Sequence, residues 1–384
     1  MGTQPITEPK NSQLPGVLLM SDSFETGGSE RQFAALAKSL DRNAYRVYLG
    51  CMQKTGAFLE GLGDVPEFPF GGSLYGLKSW PARARIARHM RKNRVSIAHA
   101  FDLYTNLALI PAARWARIPV VIGSQRQLGD LLTPAQFKVL LWAFHLCDTV
   151  VCNSRAAADG LVEKGLPERK IAVIGNGLPD SAFTRTASVL PNPPAGLRVG
   201  MVARMNTRSK NHSGLLRAAA LLKDRFPTTE YVLAGDGPFR AELEKEATDL
   251  GITDRVLFLG DRRDIPAVLS SVDITVLPSF SESLSNSIIE SMALGVPVVA
   301  LPVGGNPELV SERPGEERGV LVPPGSDEAL AKGLAQLLGD RELRLRMGAN
   351  ARSFALATFT VDGMRRRHED LYADLLRRKG GRSA

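Results

Sequence analysis

Short apolar runs rich in β-branched residues alternate with helix-period segments along almost the whole chain, in two successive series. The first series comprises GVLLM (16–20), RVYLG (46–50), VSIAHA (95–100), PVVIG (119–123), TVVCN (149–153) and IAVIG (171–175). The second comprises LRVGMVA (197–203), TEYVLAG (229–235), RVLFLG (255–260), ITVLP (274–278), PVVAL (297–301) and GVLVP (319–323). Strands that alternate with helices form parallel sheets through right-handed crossover connections. The sequence therefore predicts an α/β fold with two doubly wound halves.

The chain has 384 residues, more than a single hydrophobic core usually accommodates. The proline-rich segment LPNPPAG (190–196) separates the two series. We therefore predict an N-terminal domain at residues 1–189 and a C-terminal domain at residues 190–360. Residues 1–14 are polar and are expected to form a flexible tail. Residues 361–384 are helical in pattern and rich in arginine, and we expect them to cross back to the N-terminal domain.

A net charge of +8 favours anionic partners, which include phosphorylated small molecules, anionic membranes and nucleic acid. The sequence has no zinc-finger or RNA-binding signature, so we expect no nucleic-acid partner. Cys51, Cys147 and Cys152 form neither a metal-ligand pattern nor a disulfide framework, which favours a reducing cytoplasm. No apolar run reaches the roughly 18 residues that span a bilayer.

Two loops at predicted strand ends carry features that suit phosphate groups. After the first strand, Gly27 and Gly28 allow close backbone approach to a ligand, and Ser29 is expected to cap the next helix. After the first strand of the second half, Arg204 and Lys210 flank a loop, where a planar guanidinium and a mobile ammonium suit a diphosphate. The alternative is that both cations are exposed loop charges, which would contribute little to stability.

The segment SESLSNSIIESMALGVPVVA (281–300) places two carboxylates around a predicted helix start. Ser285 or Asn286 can cap this helix, so Glu282 precedes it and Glu290 lies inside it. The N–H groups of a helix start suit a phosphate, and a carboxylate in either place can accept paired hydroxyls of a sugar or ribose. The alternative for Glu290 is an ordinary solvated helix position, against which its apolar neighbours argue.

In their order along nearly the whole chain, these motifs resemble the family 4 glycosyltransferases of the GT-B fold, which retain the anomeric configuration of the donor. The segment ESLSNSIIESMALGVPVVALPVGGNPELV (282–310) fits the E-x7-E pattern of that family, also called glycosyl transferases group 1. GGSER (27–31), the Arg204/Lys210 pair, AGDGP (234–238) and VIGNG (173–177) also match. The resemblance implies two Rossmann-like domains that face each other across a cleft.

The resemblance also implies a donor site in the second half, with a contribution from the first. In chain order its residues are Gly28, Arg204, Lys210, Glu282, Ser283, Leu284, Ser285 and Glu290, and beside the resemblance we add Arg263 as a donor-site residue. The two cations Arg204 and Lys210 would hold the donor phosphates, Glu282 the transferred sugar and Glu290 the ribose. Arg263 is expected near the base, and the remaining residues would act through their backbones. No cofactor and no metal are implied.

The acceptor is expected on the first half, where the chain departs from the family pattern. Many members carry two histidines, separated by one residue, at the end of a first-half strand. This chain has AHAFD (98–102), with His99 in the first position and Phe101 in the second. We expect either that Asp102 or a backbone group replaces the missing contact or that the acceptor chemistry differs, and we assign His99, Asp102 and Arg126 to the acceptor side. The alternative for His99 is a buried strand histidine.

The function implied is transfer of a hexose from a nucleotide-diphosphate sugar to a hydroxyl of a sugar or lipid-linked acceptor. UDP is the favoured nucleotide, and synthesis of cell-envelope polysaccharide or glycolipid is the expected setting. Two alternatives remain open. One is a nucleotide-sugar epimerase on the same fold, and the other is a non-catalytic protein that binds a nucleotide sugar or an anionic membrane.

A predicted helix at residues 80–94 combines many cations with few apolar residues. Trp80, Ile86 and Met90 lie among Arg83, Arg85, Arg88, Arg91, Lys92 and Arg94. Such a helix can bind anionic lipid, so we expect a cytoplasmic protein with peripheral contact on the inner face of the plasma membrane. The alternative is a solvated helix on a protein without membrane contact.

Overall fold

The structure is a computed structural model that describes residues 13–380, apart from residues 26, 72, 73, 75, 131, 192–195 and 312. The tail predicted at residues 1–14 lies outside the described residues up to residue 12. The chain divides into two compact units. One contains the chain up to Gly177 together with the segment from Val361 onward, and the other is Leu178–Thr360.

Within its described residues, the first unit has one sheet of six parallel strands. They are β1 (Gly16–Ser21), β2 (Arg46–Cys51), β3 (Val95–Ala100), β4 (Val120–Gln125), β5 (Thr149–Cys152) and β6 (Ile171–Val173). Their spatial order is β2-β1-β3-β4-β5-β6, and neighbouring strands are parallel. The helices that connect them are α1 (Gly28–Ser39), α2 (Trp80–Lys92), α3 (Leu103–Trp115), α4 (Pro134–Leu146) and α5 (Arg155–Glu163).

Strand β1 shows why the strands of such a sheet are apolar throughout. Val17 and Leu19 belong to the core on one side of the sheet, Leu18 and Met20 belong to the core on the other side, and all four are fully buried. Helices α2, α3 and α4 cover the side of Leu18 and Met20, while α1 covers the opposite side. Because both faces are covered, the apolar run needs no polar alternation.

The second unit repeats this plan in the part of the chain described. Its strands are β7 (Arg198–Val202), β8 (Glu230–Ala234), β9 (Val256–Gly260), β10 (Ile274–Leu277), β11 (Val298–Ala300) and β12 (Gly319–Leu321), in the spatial order β12-β11-β10-β7-β8-β9. Its helices are α6 (His212–Leu222), α7 (Arg240–Asp249), α8 (Ile265–Ser270), α9 (Asn286–Ala293), α10 (Asn306–Leu309), α11 (Asp327–Gly339) and α12 (Arg341–Thr358). Each of the twelve predicted strands is present, and the α/β fold with two Rossmann-like units is confirmed.

The boundary between the units differs from the predicted position at residue 190. The Leu178 N–H donates to Phe359 O at 2.7 Å, and Leu178, Ala182 and Phe183 are buried in the core of the second unit. The boundary therefore falls after Gly177, because the chain beyond it already packs on the second core. A proline-rich sequence marked a break in the strand pattern but not the point where the chain changes unit.

The C-terminal helix α13 (Val361–Gly380) belongs to the first unit, where it packs against α1. Its Tyr372 is fully buried in the core on the α1 side of the first sheet. Among the residues that the structure describes, no helix has both the length and the apolar character needed to cross a membrane.

Candidate active site

The second sheet has a topological switch point between β7 and β10. The chain moves from β7 outward to β8 and β9, and then returns to β10 on the other side of β7. Connections that leave two such strands run in opposite directions, which opens a ligand-binding crevice at their carboxyl ends. Arg204 and Lys210 follow β7 and Glu282 follows β10, so the strand order brings these loops to the same place.

An ion pair between Lys210 and Glu282 lies at this switch point. Lys210 Nζ is 2.6 Å from Glu282 Oε1, and the two side chains are 28% and 12% exposed. A charge-assisted hydrogen bond of this length, partly shielded from water, orients both groups. An anion that enters the crevice would compete with Glu282 for the ammonium group.

Backbone hydrogen bonds join the loops that surround the pair. The Phe280 N–H donates to Ser209 O at 2.8 Å and connects the loop after β10 to the loop after β7. The Gly305 N–H donates to Ser283 O at 3.0 Å and adds the loop after β11. Three loops at the carboxyl edge of the sheet therefore support one another.

The glycines of the AGDGP motif allow the loop that carries Arg204 to approach the loop after β8. Gly235 has a φ of +141°, and a Cβ there would lie 2.1 Å from Ala203 O. Gly237 has a φ of +155°, and a Cβ there would lie 2.4 Å from Met205 O. Only glycine fits both the conformation and the space. In this chain the motif serves the backbone around Arg204.

Helix α9 begins as predicted, with Ser285 as its N-cap. Ser285 Oγ accepts a hydrogen bond from the Ile288 N–H at 3.3 Å. The segment that leads into the helix is packed against the protein, since Ser283, Leu284 and Ser285 are all buried. The positive end of the helix dipole therefore lies beside the loop that contains Glu282, a place that favours a phosphate group.

Glu290 is buried on α9, with 9% of its surface exposed. Its neighbours Ile289 and Ser291 are fully buried, which excludes the alternative of an ordinary solvated helix position. At 1.5 Å per residue, Glu290 is about 7.5 Å along the helix axis from Ser285. Glu282 therefore precedes the helix start and Glu290 lies inside the helix, so the start of α9 falls between the two along the chain.

The two remaining donor-site arginines differ in position. Arg204 is exposed, two residues beyond β7, next to the switch point. Arg263 is also exposed but follows β9, the edge strand, which is three strand positions from β10. At 4.8 Å per strand this corresponds to roughly 14 Å. The structure thus brings Arg204 to the switch point and leaves Arg263 at the sheet edge.

The first sheet has a switch point between β1 and β3, and Asp102 lies there. Asp102 Oδ2 accepts hydrogen bonds from the Asp22 N–H at 2.7 Å and the Ser21 hydroxyl at 3.2 Å, while Oδ1 accepts from the Thr105 N–H at 2.9 Å. Burial raises the pKa of Asp102, and these hydrogen bonds oppose the rise. Asp102 is the N-cap of α3 and joins it to the loop after β1.

A pocket of about 340 Å³ opens beside Asp102 in the first unit. Its polar lining residues are Asp22, Ser29, Glu30, Asp102, Tyr104, Gln127 and Gln136. Burial, and then the charges of Asp102 and Glu30, raise the pKa of Asp22 to about 6. None of the sequence motifs identified Asp22 as a site residue. The feature of the sequence that could have identified it is its position directly after β1.

The raised pKa of Asp22 predicts a pH-dependent cost to stability. Its folded-state pKa of about 6 exceeds the unfolded value, so ionisation penalises the folded state progressively as pH rises from about 4 to 6. Above pH 6, we expect the unfolding free energy of Asp22→Asn to be higher than that of the parent by about 1 kcal/mol, a value reduced to allow for solvent screening. Below about pH 4, the two proteins should have equal unfolding free energies. Urea unfolding at both pH values measures this, with the exposed Asp254→Asn as control. Equal stability of Asp22→Asn and the parent at neutral pH would contradict it.

His99 is fully buried on β3, and both of its ring nitrogens have partners. Nδ1 lies 2.8 Å from Tyr372 Oη, and Nε2 lies 2.9 Å from Ser124 Oγ. Burial, with smaller effects from His368 and Arg126, lowers the pKa of His99 well below its usual value. The neutral ring matches the alternative of a buried strand histidine, and neither nitrogen is left for a substrate in this arrangement.

Arg126 supports the turn at the end of the first unit. Its Nη2 donates to Asn176 Oδ1 at 2.6 Å, and its guanidinium carbon lies 4.8 Å from the centroid of the Phe101 ring. Burial lowers the pKa of Arg126 to about 10, which leaves it cationic at neutral pH. Gly177 exchanges two hydrogen bonds with the Gln32 side chain, so the VIGNG turn has a structural role here.

Helix α1 begins at Gly28, and the expected cap at Ser29 is wrong. Gly27 occupies the N-cap position with an extended backbone and no side-chain hydrogen bond. Ser29 lies inside the first turn and lines the pocket. The helix therefore starts two residues earlier than a Ser29 cap would give, and Gly28 is exposed at its N-terminus.

Two protein-family models match the chain. Glycosyltransferase Family 4 matches residues 26–181, and Glycosyl transferases group 1 matches residues 186–354. The chain is 32% identical over 259 residues to the lipopolysaccharide core biosynthesis glycosyltransferase LpsE of Rhizobium meliloti (strain 1021), covering 66% of this chain and 69% of that protein. It is 32% identical over 293 residues to the 2-deoxystreptamine glucosyltransferase of Streptomyces kanamyceticus, covering 72% of this chain and 68% of that protein.

The fold is similar to that of solved structures. Anabaena Alr3699/HepE in complex with UDP aligns with a TM-score of 0.82 over 94% of this chain and all of that chain, at 23% sequence identity. At this identity the likeness shows the shared fold. Two relatives that are 32% identical, both family models and the two parallel-sheet units lead to the same conclusion. The chain belongs to the GT-B glycosyltransferases of group 1 and family 4.

Proposed function

We propose that this glycosyltransferase retains the anomeric configuration and moves a hexose from a nucleotide-diphosphate sugar to an acceptor hydroxyl. The contact between Lys210 and Glu282 at the β7/β10 switch point carries the proposal. The Lys210 ammonium and the Glu282 carboxylate lie 2.6 Å apart, next to the N-terminus of α9, which supports the proposed roles of a cation for the diphosphate and a carboxylate for the sugar.

In the proposed donor complex, the diphosphate lies at the N-terminus of α9, between Arg204 and Lys210. Glu282 leaves Lys210 and accepts hydrogen bonds from hydroxyls of the transferred sugar, while the buried Glu290 binds the ribose. The backbones of Ser283, Leu284 and Ser285 complete the proposed set within the second unit. UDP is the favoured nucleotide because Anabaena Alr3699/HepE was solved with UDP and with UDP-glucose. Arg263 is proposed to contact the base from the loop after β9.

In the proposed step, the bond from the anomeric carbon to the diphosphate oxygen breaks while the acceptor oxygen bonds to the same face of that carbon. The acceptor proton passes to the departing diphosphate. The charge that grows on the diphosphate meets Lys210, Arg204 and the helix dipole. Transfer without a metal is part of the proposal, in which this charge is met by the protein's own cations and the helix N-terminus.

The acceptor is proposed to bind the first unit, in the pocket beside Asp22 and Asp102. Asp102 faces this pocket from the N-cap of α3, whereas His99 and Arg126 are proposed to act as supports beneath it. The Rhizobium relative, named for lipopolysaccharide core biosynthesis, favours a sugar or lipid-linked acceptor in cell-envelope synthesis. Cytoplasmic location is proposed because the three cysteines are buried and free of disulfides.

Donor hydrolysis without acceptor tests the proposed function. We expect thermal-shift screening of UDP-, GDP- and ADP-sugars to select one donor, which the protein then hydrolyses slowly. Proton NMR before mutarotation should show the released sugar with the anomeric configuration of the donor. An inverted sugar would contradict retention. Binding without hydrolysis would favour a nucleotide-sugar binding protein, and an isomerised nucleotide sugar would favour an epimerase.

A further inference from the structure

The outer surface of α2, α3 and α4 carries every tryptophan of the chain. Trp80 begins α2, Trp115 ends α3 and Trp142 lies on α4, and these residues are 53%, 46% and 56% exposed. The rings of Trp80 and Trp115 contact each other edge to face, with centroids 5.6 Å apart. Leu77 and Val139 are also exposed, at 85% and 37%. We call this surface, with the three tryptophans and these two residues, the tryptophan face.

The charge of this region is strongly one-sided. Residues 68–147 contain eleven Lys or Arg residues and two acidic residues, Asp102 and Asp130. Asp102 is occupied as the N-cap of α3. The exposed cations are Lys78, Arg85, Arg88, Arg91, Lys92, Arg94, Arg117 and Lys138. In the part of the chain that the structure describes, none of these eight forms an ion pair, whereas many arginines of the second unit pair with carboxylates.

The structure corrects the expected apolar anchors of α2. Ile86 and Met90 are fully buried against the first sheet, so they are not available to a membrane. Arg83 is also turned inward, where its Nη2 donates to Leu74 O and Leu107 O. The residues left to face a partner are the tryptophans and the outer cations.

We propose that the tryptophan face docks this chain on an anionic lipid bilayer, a property separate from sugar transfer. Tryptophan favours the headgroup level of a bilayer because its ring is apolar while its indole N–H can donate a hydrogen bond. Unpaired cations complement anionic headgroups and raise partitioning about fivefold each. A bilayer also has an apolar layer that can contact Leu77 and Val139. A soluble polyanion such as nucleic acid has no such layer. Charge and apolar exposure together therefore favour lipid.

Intrinsic fluorescence of the full chain tests this proposal without a label, because all three tryptophans lie on the proposed face. We expect phosphatidylcholine vesicles that contain phosphatidylglycerol to shift the emission to the blue, and brominated acyl chains to quench it. Pure phosphatidylcholine vesicles should have little effect, and about 1 M salt should reverse the shift, since it shortens the Debye length to about 3 Å. Unchanged emission with the anionic vesicles would overturn the proposal.

Paired charge variants locate the contact. The double variant Arg88→Gln/Lys92→Gln should partition onto anionic vesicles about 30-fold more weakly than the parent, from about fivefold per cation. The control Arg341→Gln/Arg346→Gln removes two exposed cations from α12 of the second unit and should partition like the parent. Trp80→Ala/Trp115→Ala should bind more weakly, and its remaining Trp142 should still shift. Equal losses of vesicle partitioning in the two charge variants would overturn the proposal. Dimerisation without lipid that itself shifts the tryptophan emission would also overturn it.

Discussion

Replacing Glu282 with alanine is expected to lower turnover at saturating donor by about 100-fold or more. Its carboxylate is proposed to hold the sugar while that sugar changes shape and charge, so the lost contact belongs to the transition state. Because Glu282 pairs with Lys210 at 2.6 Å, removal of its carboxylate also frees the ammonium for a diphosphate. Affinity for the bare nucleotide should therefore be preserved or slightly improved.

Donor hydrolysis at saturating donor measures this effect. Glu242→Ala provides a matched control, since Glu242 also pairs with a cation, Arg208, but on the exposed surface of the same unit. The control should turn over like the parent. If Glu282→Ala retained normal turnover, the proposed sugar contact would be wrong.

Lys210→Ala is expected to lower turnover by about 100-fold or more, because the ammonium meets charge that grows on the leaving diphosphate. An exposed loop charge would contribute little to stability, but Lys210 is only 28% exposed and pairs with Glu282. Without Lys210, the mostly buried Glu282 loses its partner, so the unfolding free energy should fall by about 1–3 kcal/mol. Urea unfolding and donor hydrolysis on the same preparation measure both effects.

Arg208→Ala controls for the loss of a cation from the same turn. Arg208 and Glu242 are 69% and 51% exposed, so breaking their pair should cost less than about 1 kcal/mol and leave turnover unchanged. Parental turnover in Lys210→Ala would contradict its role at the phosphates. Parental stability in Lys210→Ala would contradict the importance of the ion pair.

Local patterns in the sequence predicted all twelve strands because most of these strands are buried on both faces and leave continuous apolar runs. The α9 boundaries were also predictable: Ser285 caps the start, and Gly295 follows the end with a φ of +71°. These features depend on residues close together in the chain. The burial of Ile86 and Met90 was accessible in the same way, since their spacing of four places them on one helix face.

Contacts set by strand order were not predictable from local pattern. Lys210 and Glu282 are 72 residues apart and meet because β10 lies beside β7. His99 sits at a motif position, yet its environment depends on Tyr372, 273 residues away on α13. Asp22 acquires its raised pKa from burial and from Asp102 across the first switch point. In each case the fold, not the neighbouring sequence, determines the chemistry of the side chain.

Calorimetry with UDP on Glu282→Ala and Glu290→Ala tests the central claim, which is that the two carboxylates divide the donor between them. Glu290→Ala should lose about 1.5–3 kcal/mol of UDP binding, as for a charged hydrogen bond to ribose, and Glu282→Ala should bind UDP like the parent. Glu290→Gln keeps the side-chain volume and separates the lost contact from repacking of the buried helix. If Glu282→Ala lost UDP binding while Glu290→Ala kept it, the two roles would be reversed and the account of the switch-point site would be wrong.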